Sequence, residues 1–346
     1  ELLLMTDDGQ YRSLILELLV GSPVNELLIE ELRHVLTDEN ENKYFRFFAV
    51  DCLLGVPSYN CESDVKLLSS RGSNESLEVA AHAILLGGAD KYDNNFWKRF
   101  FAVCSELYSN DDYSTDRVIG ERYFIRRLID ELNEGQLELL LDHFTKELYC
   151  VCGKADYECD CRTGISKIVG LLLDKYFGYS NVRYVAERIW SWLKPLCFRG
   201  SASSKDSKSV EVLYSNTKLR EEILEHVFGS LNDAEQVLQL KNQKFAPYSH
   251  SHSALQLTGE DWRFLVTLAF ESDNTTLWSC FMARHQRYRK KEELGVDSLR
   301  HLMRQHANQK YAFMREWART NLKERAFFLR TKQDRRYRKS RRRSTR

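Results

Sequence analysis

AVDCLLG (Ala49 to Gly55) and AHAILLG (Ala81 to Gly87) carry alanine, a Leu-Leu pair and a terminal glycine in the same register, 32 residues apart. That spacing suits one helical hairpin, and hairpins of this size stack because one alone cannot bury its apolar face. Chance similarity between two amphipathic helices is the alternative. Outward from this pair, apolar residues recur three and four apart over Tyr11–Leu19, Asn25–Leu36, Lys43–Leu54, Glu75–Leu86, Asn95–Ser109, Arg117–Leu132, Glu134–Leu148, Thr163–Phe177 and Val182–Leu193. The pattern continues over Lys218–Phe228, Ala234–Leu240 and Asp261–Glu271. Only four prolines, Pro23, Pro57, Pro195 and Pro247, interrupt the chain. The reading is an all-α fold, a HEAT-like α-solenoid of helical hairpins.

YCVCGKADYECDCR (Tyr149 to Arg162) packs four cysteines into two Cys-x-Cys pairs. In an extended segment residues i and i+2 share a side. Cys150 with Cys152, and Cys159 with Cys161, can therefore each present two sulfurs to one point while Gly153 lets the connector turn. Four thiolates in a tetrahedral array suit zinc and leave no coordination position for water, so the predicted role is structural. Disulfides across a surface hairpin with Asp156, Glu158 and Asp160, or simple reduced thiols, are the other readings. His143 could replace one sulfur. His250 and His252 lie in a serine-rich loop without a third ligand nearby and read as solvent-facing. The remaining cysteines, Cys52, Cys61, Cys104, Cys197 and Cys280, read as ordinary thiols of a reducing cytosol.

Residues 1–197 form the predicted HEAT-like region, with the four-cysteine, zinc-stabilised hairpin at 149–162. FRGSASSKDSKS marks a linker at 198–209, residues 210–283 form a second helical region, and residues 284–346 a basic helix and disordered tail. Thr258 followed by Asp261 has the form of a capping box. From Arg284 onward there are 22 Lys and Arg against 6 Asp and Glu, which leaves residues 1–283 with 29 against 44. The near-neutral total therefore hides a polarised molecule. Asn308–Lys332 can form a helix with Tyr311, Met314, Trp317 and Ala318 as a stripe. Beyond it Arg335, Arg336, Arg338, Lys339, Arg341, Arg342, Arg343 and Arg346 form a candidate nucleic-acid contact, each displacing counterions from phosphate. Alternatively the tail clamps the acidic body or keeps the chain soluble.

No apolar run reaches the length of a membrane span, and a cytoplasmic protein is expected. The chain opens at Glu1 without initiator methionine or signal segment, which reads as a piece of a longer protein or a processed form. Phosphate-cradling glycine loops, nucleophile elbows and H-E-x-x-H are missing, so no catalytic residues are assigned and an enzyme is not expected. CVCGKADYECDCRTGISKIVGLLLDKYF (Cys150 to Phe177), with short helices before it and LTGEDWRFLVTLAFESDN (Leu257 to Asn274) and an arginine-rich end after it, resembles the region following the nucleotide-binding domain in bacterial NACHT-type NTPases of the STAND class, associated with defence against phage. The resemblance implies a sensing or autoinhibitory module for a fused or associated NTPase domain. It also implies a phage-derived trigger protein or nucleic acid, structural zinc on the four cysteines, and a homo-oligomer in the full-length parent. A free-standing helical nucleic-acid-binding or scaffold protein is the alternative.

Overall fold

The computed structural model describes residues 9–108, 122–147, 163–179, 183–194, 208–245 and 255–282. The described residues are all-helical, and no strand occurs among them. In chain order the helices are α1 (Gly9–Leu19), α2 (Ile29–Thr37), α3 (Lys43–Leu54), α4 (Glu62–Arg71), α5 (Asn74–Gly87), α6 (Asn94–Glu106), α7 (Tyr123–Asp130) and α8 (Glu134–Glu147). They continue with α9 (Thr163–Gly178), α10 (Ala186–Leu193), α11 (Lys208–Ser215), α12 (Thr217–Phe228), α13 (Ala234–Lys244), α14 (Gly259–Glu271) and α15 (Thr275–Met282). All belong to the first of two units, residues 1–284.

Helix starts follow local chemistry. Ser73 Oγ accepts from Ser76 N at 3.2 Å, Asp93 Oδ1 from Phe96 N at 2.7 Å and Asn216 Oδ1 from Leu219 N at 3.1 Å, each satisfying an orphan N–H of a first turn. Between α4 and α5 the chain reverses at Gly72, whose φ of 72° is a left-handed conformation that glycine adopts without steric cost. The predicted helix from Asn25 is two pieces: a 3-10 turn Pro23–Leu27, then α2. Buried Asn25 causes the break, since its Nδ2 donates to the carbonyls of Leu19 (2.7 Å) and Cys52 (3.2 Å) and so ties the end of α1 to α3.

Helices pack chiefly on those one to three steps away along the chain. α3 rests on α1, α2 and α5; α5 on α3, α4 and α7; α9 on α6, α7, α8 and α11; and α12 on α10, α11 and α14. AVDCLLG and AHAILLG form the ends of α3 and α5, which pack on each other with α4 placed between them in the chain. The core is aliphatic over α2–α5 (Leu32, Val35, Val50, Leu53, Val65, Leu68, Ala80, Ile84) and aromatic at α6, where Phe96, Trp97, Phe100 and Phe101 are all buried.

Buried and half-buried polar side chains join these layers. Arg33 of α2 grips Asp64 of α4 with two hydrogen bonds (2.9 and 2.8 Å), and the Tyr59 hydroxyl donates to the same carboxylate at 2.6 Å. At the carboxyl end of α2, Arg46 Nε donates to Leu36 O (3.0 Å), and Arg71 donates to Thr37 O. Two cations from later helices therefore satisfy carbonyls at the negative end of the helix dipole. Farther along, Arg220 of α12 forms a two-point ion pair with Asp261 of α14, both side chains at most 4 % exposed. The predicted capping box is present: Thr258 N donates to Asp261 Oδ2 at 2.7 Å, and Asp261 N donates to Thr258 Oγ1 at 3.2 Å.

Three helices lie outside the sequence expectations. α4 (ESDVKLLSSR) buries Asp64 and Ser69 as well as Val65 and Leu68, which blurs its apolar stripe. α11 begins at Lys208, so residues 208 and 209, read above as linker, open a helix. Ser209 there donates from N and Oγ to Asp174 of α9, at 3.0 and 2.6 Å. α15 (TTLWSCFM) is too short for its period to register.

Candidate functional site

The four paired cysteines, Cys150, Cys152, Cys159 and Cys161, and the tail cations from Arg335 to Arg346 lie outside the described residues, as do Cys197, His250 and His252. What the structure describes is the mount of the cysteine segment. α8 and α9 run antiparallel, because the Tyr176 hydroxyl late in α9 donates to Glu138 Oε1 early in α8 at 3.2 Å, and the Tyr179 hydroxyl reaches Leu132 O at 2.7 Å. The end of α8 and the start of α9 therefore fall at the same end of the pair. Residues 148–162 connect these two neighbouring termini.

The start of α9 is seated on the end of α6. A Cβ at Gly164 would lie 1.9 Å from the Ser105 carbonyl oxygen, so the two backbones touch where only glycine fits. One turn on, Ser166 and Lys167 are buried. The Lys167 ammonium stands 5.0 Å from the centroid of the Tyr108 ring, and the Arg122 guanidinium stands 4.8 Å from the same ring. Attraction to the ring's electron-rich face offsets part of the cost of desolvating these cations. These cations and the positive amino end of α9 stand at the same end of the pair as the negative carboxyl ends of α6 and α8. His143 is half-buried on α8, its ring 5.0 Å from that of Phe144. Among the described residues no group of three or more His, Cys, Asp or Glu side chains is placed to hold a metal.

Glu138 and Asp142 share a face of α8, four residues apart. Arg188 of α10 bonds both, at 2.7 and 2.9 Å, and Trp192 Nε1 donates to Asp142 Oδ1 at 2.6 Å. Paired carboxylates can serve acid-base chemistry, but these are committed to the Arg188 guanidinium, the Trp192 indole and, at Glu138, the Tyr176 hydroxyl, and the arrangement works as an interhelical clamp. Beside Asp64 and Tyr59 a cavity of about 10 Å³, lined also by Leu36, Val50, Cys61 and Leu68, has room on the order of one water molecule. Cys52, Cys61, Cys104 and Cys280 are buried, and burial pushes the Cys52 thiol up to about 12 and Cys104 well above its ordinary value. At neutral pH Cys52 and Cys104 are therefore protonated and poor nucleophiles.

The sequence reveals the cysteine segment but not its mount. Gly164 is the only trace of the α6 contact in the sequence, and a glycine in a first helical turn does not by itself point to a neighbouring backbone. No helix among the described residues is long and apolar enough to cross a membrane. Comparison with protein-family models, with curated proteins and with solved structures finds no match to this chain.

Proposed function

We propose that the chain is the helical-repeat part of a NACHT- or STAND-type signalling NTPase, sensing a trigger or holding the nucleotide-binding module inactive, with no chemistry of its own. The reading is supported by the packing pattern, in which helices rest mainly on near neighbours along the chain. That pattern suits a HEAT-like solenoid, whose repeated hairpins offer a long surface to a protein or nucleic-acid trigger. In this reading Cys150, Cys152, Cys159 and Cys161 hold one structural zinc that pins the connector between α8 and α9, supported by their two Cys-x-Cys pairs and by the neighbouring helix ends that the connector joins. The complete open reading frame should encode a phosphate-binding loop fused to this segment, and deleting residues 1–283 from that parent should change its nucleotide turnover. A parent without a nucleotide-binding module, or ATP hydrolysis by these 346 residues alone, overturns the reading. Protein purified reduced should contain one zinc per chain by elemental analysis. Replacing Cys150 and Cys159 by serine should release it and lower stability, because metal binding energy is also folding energy.

A second reading, a free-standing nucleic-acid-binding or scaffold protein, rests on the charge excess after residue 283. Neutralising about six phosphates would make affinity fall on the order of a thousandfold between low and physiological salt, with little sequence preference. Equal, weak binding by the full chain and a chain ending at Lys332 removes this reading.

A further inference from the structure

We draw no further inference here: the strongest candidate, the surface patch along the seam of α3 and α5 where the rings of Tyr44, Phe47 and His82 follow one another beside the Lys43–Glu78 and His82–Asp51 pairs, carries nothing, because its charged groups are already committed to each other and nothing in the structure shows what covers the rings.

Discussion

Arg46 and Arg220 are both almost wholly buried, at 1 % and 4 % exposure, yet the regions around them handle the charge differently. In the α2–α5 region Arg46 donates to a backbone carbonyl, Leu36 O, and to Ser76 Oγ at 3.2 Å. Its proton affinity is lowered, first by burial and then by neighbouring Arg71. In the α11–α14 region Arg220 meets the carboxylate of Asp261 and also donates to the carbonyls of Leu213 (3.3 Å) and Gln256 (2.9 Å). The first arrangement spreads a cation over the weak negative end of a helix; the second cancels it with a full charge that also caps α14. The cost of losing a partner should therefore differ greatly between the two.

The largest effect is expected from Asp261→Ala, which leaves the Arg220 guanidinium buried without its counter-charge and removes the cap of α14. Breaking such a pair costs about 3–5 kcal/mol, read as a lowered urea midpoint. Adding Arg220→Met to that variant should recover part of the loss, and a double-mutant cycle would measure the coupling. Arg46→Met is expected to cost about 2 kcal/mol, because the lost hydrogen bonds are offset by removing a desolvated cation. If it costs as much as Asp261→Ala, the contrast between the regions fails.

Alkaline pH tests both regions together. Burial holds the Tyr59 and Tyr176 hydroxyls above their ordinary value, with the carboxylates of Asp64 and Glu138 adding to it, and burial raises Tyr214 beside Arg220 as well. An unfolded tyrosine releases its proton near about pH 10 while the folded chain retains it. The stabilisation is thus fully present below about pH 10 and is lost as pH rises through the folded values. The buried Cys52 and Cys104 thiols act in the same direction from the lower pH at which unfolded thiols ionise, so urea midpoints should begin to fall from about pH 8.5 and fall more steeply above about pH 10. The smallest effect is expected from Tyr59→Phe: about 1 kcal/mol at neutral pH, since Arg33 still satisfies Asp64, and a shallower alkaline decline.

Most of the helices were legible in the sequence, and the reasons are local. Lys43–Leu54 reads as a helix, and α3 has those bounds, because Asn42 caps it and its apolar positions recur at the helical period. The Thr258–Asp261 box was likewise readable, since its two bonds join residues three apart. α4 was not, because its buried Asp64 looks like surface until Arg33 arrives from α2, and its buried Ser69 is satisfied inside the helix by Val65 O. Of the candidate site, the cysteine spacing was visible and the seat of α9 on α6 was not: Gly164 and Ser105 are 59 positions apart.

Sequence by itself determined what short-range periodicity, capping and charge count can determine: the helical character of the described residues, their main helix starts, the two Cys-x-Cys pairs and the polarity of the charge. Only the tertiary structure decided which buried ions meet and which backbones touch at Gly164. Helical hydrogen bonds close within four residues and leave a local trace, whereas the partner of a buried arginine is chosen by the packing of helices distant along the chain, and no local pattern records that choice.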